Sequence, residues 1–326
     1  MRLDTCDLLC CPACHKVFDP VGCTGGVIED GTLTCSSCQK DYPVRGGIPI
    51  FLGDRISAES RSSSFTTFDE HTRQKVLQRE WHDRENFDRS YKRVAYGSKS
   101  FFAYLLYYQM REMENLFAQD QYSRVANICA GHGFELEFLS RFCRNILAVD
   151  ISWNSLQVAL KRARELGLTV EAVCADAENL PLRNDSFDLV FAHHSLHHLP
   201  RPLRGLQEML RISRYRVAMS EPAKGLTRTM LTRLGIKPKV EESGNFVYEF
   251  DLKDVEALCS NQHRLRYFHK CLVTGPADEP AWFRRFDTWH ITPVLCGAIS
   301  LGNYVSGKLL GTKCSLLLEK NGQPHD

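Results

Sequence analysis

A few residue types at particular spacings carry most of the chemical information in this chain. Gly131 and Gly133 follow an apolar run in VANICAGHGFELEFL, Asp150 ends the apolar run ILAVD, and Asp176-Ala177 ends EAVCADA. Paired histidines, His193-His194 and His197-His198, close the next apolar stretch, FDLVFAHHSLHHLP. Near the N-terminus Cys11-Pro-Ala-Cys14 is matched, twenty residues on, by Cys35-Ser-Ser-Cys38. Glycines after a strand let the backbone approach a ligand and leave the following N–H groups pointing at it. Carboxylates at strand ends can accept hydroxyl or amino hydrogens, and a neutral imidazole can accept a proton near pH 7. Two Cys-x-x-Cys knuckles supply four thiolates in the arrangement that zinc favours.

The order strand-Gly, strand-Asp, strand-Asp narrows the ligand. A pyrophosphate loop continues as G-x-G-x-x-G, but the third glycine position is Leu136, which disfavours close pyrophosphate packing. S-adenosylmethionine (SAM) has no phosphate, and its amino-acid end needs only the tight turn. Asp150 suits the two hydroxyls of a ribose in either SAM or NAD. Asp176 with the Ala177 N–H suits an adenine edge and favours SAM. The bland alternative is a strand-helix turn with two acids capping helices.

Positioning these residues requires an open α/β sheet with the site at the carboxyl ends of its strands. Strands are expected over the three runs above, over FDLVFAHH and over RVAMSEP ending at Glu221, with a helix from about Leu203 to Ile212 between the last two. LRYFHKCLV and CSLLLEK read as the last two strands. Strand alternation sends His193 and His194 to opposite faces, so one of them at most is expected to meet a substrate. Glu221 is a further candidate for substrate contact, with a helix cap or a surface acid as the equal alternative. Residues 69–121 turn helical, and Tyr91 and Tyr96 are candidates for the pocket or for plain core packing.

At these residues the sequence resembles the class I SAM-dependent methyltransferases, especially the subfamily whose fourth strand reads FDLVFAHHSLHHLP, over roughly residues 122–222. The resemblance implies a Rossmann-like seven-stranded sheet and makes LRYFHKCLV and CSLLLEK its antiparallel closing pair. It assigns Gly131 and Gly133 to the methionine end, Asp150 to the ribose, and Asp176 with Ala177 to the adenine. The chain departs from the family pattern at Asn127, where the first strand usually has an acid, and at Cys129, where the first glycine usually stands. His193, His194 and Glu221 are the candidate catalytic residues. No Asn-Pro-Pro-Tyr-type sequence follows strand four, so the signature of amino-group methylation on bases is missing.

Cys11, Cys14, Cys35 and Cys38 are the candidate zinc ligands, a closed set that reads as structural. The intervening GCTGGVIEDGTLT reads as a hairpin turning at Asp30-Gly31, leaving Cys10 and Cys23 as spares. With YPVRGGIPIFL the module, residues 8–53, resembles the small zinc-ribbon-like domain that activates methyltransferases in trans. That resemblance implies bracing of the catalytic domain or a share in substrate binding, in cis here.

The expected organisation is a zinc module over 1–53, a linker and N-terminal helices over 54–121, and a methyltransferase domain over 122–320. An insertion at about 275–313 is expected to form a lid or a packed helix over the active site, with an interfacial anchor as the alternative. A net charge of +2 over 326 residues speaks against a strongly basic nucleic-acid binder. The basic residues Lys224, Arg228, Arg233, Lys237 and Lys239 either meet an anionic substrate or form a solvated face beside Glu241 and Glu242. No run is apolar for the length a membrane helix requires, and fourteen cysteines without an export signal read as thiols in a reducing cytoplasm. The expected function is methyl transfer to a small or lipid-like metabolite. A ribosomal- or transfer-RNA methyltransferase with an RNA-contacting zinc module and a non-catalytic scaffold are the alternatives, and the oligomeric state is open.

Overall fold

In the computed structural model the described residues are 1–18, 26–57, 68–84, 95–117, 121–235, 240, 246–259, 262–272, 281–288 and 291–321. Tyr91, Cys23, Lys237, Lys239, Glu241 and Glu242 lie outside them. The N-terminal module holds a short helix α1 (Leu3–Cys6) and strands β1 (Gly31–Thr34), β2 (Asp41–Arg45) and β3 (Ile48–Pro49), in the order β1-β2-β3. Among the described residues β1 pairs with β2 across the Cys35–Cys38 knuckle. The hairpin therefore turns at the second cysteine pair and not at Asp30-Gly31. Asp30 instead accepts the Gly46 N–H at 3.0 Å and ties the strand entry to the next turn.

Helices α2 (Asp54–Ser57), α3 (Glu70–Arg84), α4 (Phe101–Leu106) and α5 (Tyr108–Phe117) lead into the main sheet. Its strands are β4 (Val125–Ile128), β5 (Ile146–Asp150), β6 (Val170–Cys174), β7 (Phe187–His193), β8 (Ser213–Pro222), β9 (His263–Cys271) and β10 (Lys313–Lys320). The order is β6-β5-β4-β7-β8-β10-β9, parallel except for β10, which runs antiparallel to both β8 and β9. The seven-stranded α/β sheet and its closing antiparallel pair are those expected from the sequence.

Strands covered on both faces read as continuous apolar runs, and β5 is buried along its whole length. Alternation splits the side chains into two cores. Ala126, Ile128, Val190, Ala192, Val217 and Met219 face one side, and Val125, Leu189, Phe191, Ala218 and Leu317 face the other. Helix α8 (Pro202–Ile212) covers the first side with Leu206, Met209 and Ile212. Helix α5, with α6 (Leu136–Leu139) and α7 (Trp153–Glu165), covers the second through Met110, Met113, Phe117, Phe138 and Ala159. Three further helices, α9 (Leu226–Arg233), α10 (Leu252–Leu258) and α11 (Ile291–Leu310), follow β8. Tyr96 is a core residue, buried against Tyr107 and Phe138.

The zinc module shares the first core through Leu9, Cys11, Tyr42 and Phe51. It also grips the segment after β6. The Cys10 N–H donates to Pro181 O at 2.9 Å, the Arg183 N–H to Leu8 O at 2.9 Å, Asn179 Nδ2 to Pro12 O at 3.1 Å, and the Phe51 N–H to Cys174 O at 2.8 Å. Arg2 pairs with Glu171 at 3.3 Å.

Candidate active site and zinc centre

A cavity of about 340 Å³ opens at the carboxyl ends of β4, β5, β6 and β7, a size proper to small-molecule sites. Gly131, Asp150, Asp176, Ala177, His193 and His194 line it. Gly133 and Glu221 are not among its lining residues.

The β4–α6 turn explains the glycines. Gly131 has φ +47° and a Cβ there would meet nothing within 4 Å, so its backbone faces open space. Gly133 has φ +72°, and a Cβ would come within 2.7 Å of Leu136 Cδ1 and 3.0 Å of Ala159 Cβ. Gly133 is therefore needed for close packing of the turn on α7. Cys129 lines the cavity and also has positive φ, +53°. The position keeps the backbone shape of a glycine while bearing a side chain, at a cost of about 1–2 kcal/mol.

Asp150 fixes two backbone segments at once. Its Oδ2 accepts the Gly131 N–H and its Oδ1 the Ser152 N–H, both at 2.8 Å. Ser152 caps α7 by accepting from Ser155 N and donates its own hydroxyl to Asp83 on α3 at 2.6 Å. Asp176 receives the Glu178 N–H at 2.9 Å on Oδ1 and Lys75 Nζ at 2.6 Å on Oδ2. Lys75 also pairs with Glu178 at 2.7 Å, and Arg201 pairs with the same Glu178 at 2.8 Å. Lys75, Gln78 and His82 all line the cavity; their i, i+3, i+7 spacing presents one face of α3 to it.

The histidines do not alternate as a strand would. β7 ends at His193, and His194 adopts φ +50°, so both rings turn to the cavity with centroids 4.5 Å apart. This corrects the expectation that only one could face a substrate; strand periodicity ends where the backbone enters the left-handed region.

The two rings differ in their commitments. His194 Nε2 lies 2.6 Å from Gln109 Oε1, and Lys313 Nζ lies 2.9 Å from Nδ1. Gln109 Oε1 assigns the ring proton to Nε2, and Lys313 Nζ, 3.2 Å from Nε2 as well, sits across both ring nitrogens. Burial, followed by the charge of Lys313, holds its pKa well below the usual histidine value. His193 Nδ1 lies 3.4 Å from Glu135 Oε1, and its Nε2 has no hydrogen-bond partner among the described residues.

Glu221 is fully buried and serves the fold. Its carboxylate accepts the N–H groups of Ser195 and Leu196 at 3.0 and 2.8 Å, and His197 Nδ1 lies 2.6 Å away. Burial pushes its pKa up, but His197 and the N–H donors outweigh this and hold it below the usual glutamate value. Glu221 thus caps the 3₁₀ turn Leu196–His198 and is shielded from the cavity. The β8 end reads alike for a cap and a substrate ligand; only the backbone path of residues 195–197 separates them.

Sequence reasoning missed Lys75, Gln109, Glu135 and Lys313. Lys75 is 101 residues from its partner Asp176, a separation that leaves no local pattern. Glu135 follows Gly133 by two residues and could have been found as an acid beside the strand-four histidines. Of the basic segment, Lys224 pairs with Asp251 at 3.4 Å and Arg228 with Glu249 at 2.7 Å, and neither lines the cavity.

The zinc centre fits its metal. The four sulfurs of Cys11, Cys14, Cys35 and Cys38 lie within 4.8 Å of one another, with Cys11–Cys38 and Cys14–Cys35 at 3.6 Å. Tetrahedral thiolates at about 2.3 Å from zinc stand about 3.8 Å apart. The Tyr42 hydroxyl lies 3.2 Å from Cys11 Sγ. Burial opposes ionisation of Cys11, yet hydrogen bonds from Tyr42 and the N–H groups of Ala13 and Cys14 lower its pKa to about 6.

Comparison with known proteins finds a family match for each of the two parts of the chain. Residues 126–216 match the family model described as a methyltransferase domain, and residues 2–47 match that of Trm112p-like proteins. The methyltransferase YcgJ of Bacillus subtilis (strain 168) is 30% identical over 210 residues, 62% of this chain and 79% of the relative. The chain belongs to the class I SAM-dependent methyltransferases. The demethylmenaquinone methyltransferase of Clavibacter sepedonicus is 35% identical over 89 residues, 27% of this chain and 36% of the relative. The chain spans between 36% and 46% of the length of the first three curated relatives it matches. The structure of magnesium protoporphyrin IX methyltransferase from Synechocystis PCC 6803 with bound SAH shares the fold at 14% identity and a TM-score of 0.50, covering 76% of this chain and 100% of that one. No helix among the described residues is long and apolar enough to cross a membrane.

Proposed function

We propose that the protein methylates a small, lipid-like metabolite at an acidic heteroatom or carbon, using SAM. The observation that carries this reading is one continuous cavity joining Gly131, Asp150, Asp176 and Ala177 to His193. Relatives named as demethylmenaquinone methyltransferases and as a phthiotriol/phenolphthiotriol dimycocerosates methyltransferase support an acceptor of this class.

SAM would supply an electrophilic methyl on a sulfonium. Gly131 would receive its methionine end, Asp150 its ribose hydroxyls, and Asp176 with the Ala177 N–H its adenine. Asp176 Oδ2 is already held by Lys75, so the adenine amino group would share that oxygen or displace the amine. The protein's remaining task is alignment in a site closed to water, with removal of the acceptor's proton. His193 is suited to the proton. Glu135, 3.4 Å from Nδ1, would orient the ring with its proton on that nitrogen and leave the Nε2 lone pair for the acceptor. His194, engaged at both nitrogens, is a positioning residue beside it.

Calorimetry with SAM on the zinc-loaded wild type and on Asp150→Ala tests the cofactor assignment. The variant should lose at least about tenfold in affinity, since charge-assisted hydrogen bonds are each worth roughly 1.5–3 kcal/mol. A folded wild type that binds no SAM would sink the reading. Labelled SAM with a cellular lipid extract then tests the acceptor class. Glu135→Gln should lower kcat and displace its pH profile while leaving SAM affinity within about twofold.

A further inference from the structure

Helix α11, ITPVLCGAISLGNYVSGKLL, carries a single charged residue, Lys308. It does not cover the active site, since no residue of α11 lines the cavity. It packs on β9 and α4 instead. Leu295, Cys296 and Ile299 meet Phe101, Phe102 and Leu105, and Asn303 accepts the Leu272 N–H at 3.0 Å. Its other face is apolar and open, with Val294, Leu301, Tyr304, Val305 and Leu309 between 63% and 80% exposed. Helix α9 packs beside it, and there Leu226, Met230 and its cap residue Leu234 repeat every four residues and are 59–75% exposed. Half of the large apolar side chains exposed among the described residues lie on these two helices, and the cap residue Leu234 adds one more, whereas a soluble surface usually scatters them.

We infer that the α9–α11 face docks on an anionic lipid surface, lying in its plane. Charge identifies the occupant. Arg233 ends α9, and Arg284 and Arg285 precede α11; all three are exposed, and Lys224 at the other end of α9 is paired with Asp251. Across residues 224–235 and 281–310 the sole acid is Asp287, which accepts the Phe101 N–H. An apolar face rimmed by cations is complementary to anionic headgroups over acyl chains. A second copy of the chain fits less well, because two-fold pairing of this face would set basic rims of one sign against each other. Exposed Tyr304 and Trp282 add the amphipathic aromatics suited to a membrane–water boundary.

The face also leads to the active site. α11 runs through Gly311 and Thr312 to Lys313, which lines the cavity and touches His194. Gly307 and Gly311 permit this approach, since a Cβ on Gly307 would come within 2.2 Å of Lys270 O. An acceptor dissolved in the bilayer would thus be delivered near the histidines. That link rests on the proposed acceptor class; the docking does not.

Flotation of the full, zinc-loaded chain with vesicles tests it. Protein should float with phosphatidylcholine vesicles containing about 30% phosphatidylglycerol, less with phosphatidylcholine alone, and less in high salt. Leu301→Glu with Val305→Glu should weaken flotation at least about tenfold. Arg284→Glu with Arg285→Glu should abolish the preference for anionic vesicles, and carries the test if the first pair fails to fold. Asp150→Ala should float like wild type while losing SAM, which separates this inference from the functional one. Wild type that stays in solution with anionic vesicles overturns the inference. So does a concentration-dependent dimer that Leu301→Glu with Val305→Glu dissociates, because the face then belongs to a second copy.

Discussion

At the scale of single residues, the departures from the family pattern acquire physical meaning. Cys129 occupies a backbone conformation with φ +53°, so removing its sulfur and relieving its backbone are separable changes. Cys129→Gly should be more stable than Cys129→Ala by about 1 kcal/mol, because alanine keeps the strained Cβ and glycine does not. Equal urea midpoints for the two variants would contradict this. His194 makes a prediction in pH. Its pKa in the fold lies well below 6.5, so between the two values the unfolded chain binds a proton that the folded chain refuses. Stability should decline as pH falls below about 6.5, by at most about 1.4 kcal/mol per unit from this one group. Urea unfolding of wild type and His194→Gln from pH 8 to 5 should show a shallower decline in the variant.

At the scale of elements, the zinc module and the segment following β6 act as a pair. No described residue of the module lines the cavity, but Pro12 O, Leu8 O and Cys10 N hold the stretch 179–183, and Phe51 holds Cys174. Asp176 and Ala177 hang between these anchors. Of the two roles implied by the resemblance, we propose bracing, which these hydrogen bonds support. Stripping zinc should therefore raise the SAM dissociation constant by roughly tenfold or more and speed amide exchange over 174–183. Unchanged affinity in a metal-free, folded sample would leave the brace without a function. Helix α3 acts from the other side through Lys75, whose amine joins Asp176 and Glu178.

At the scale of the whole molecule, the module and the sheet share one core: Leu9, Tyr42 and Phe51 belong to the same apolar cluster as Val173, Leu180 and Leu182. A boundary near residue 53 in the sequence is thus not a boundary in cohesion. Zinc-loaded protein should unfold in one calorimetric transition, and chelation should lower the whole transition and not peel off a separate one. Two resolved peaks in the zinc-loaded form would show that the interface is weaker than its packing implies. Deleting residues 1–53 should expose Leu180 and Leu182 and make the remainder aggregate.

The sheet was legible because short apolar runs bounded by turn residues suit strands buried on both faces. It helped that β4, β5 and β6 each end in a glycine or acid pattern tied to backbone geometry. The four cysteines were legible for a similar reason: knuckle spacing is a local property. What escaped the sequence depended on contacts across the chain. Helix α3 turns a polar face inward, burying Lys75, Gln78 and Arg79, so hydrophobic periodicity could not show what it covers. The placement of α11 was also undetermined, since an apolar helix reads alike over a pocket or along a sheet edge. The roles of Glu221 and the two strand-four histidines turned on residues 194–197, where one left-handed residue redirects the chain. Local patterns determine which elements form, because period and spacing act through neighbouring residues. Which polar group is capped, paired or left open is decided by partners distant in sequence, and only the folded chain brings those together.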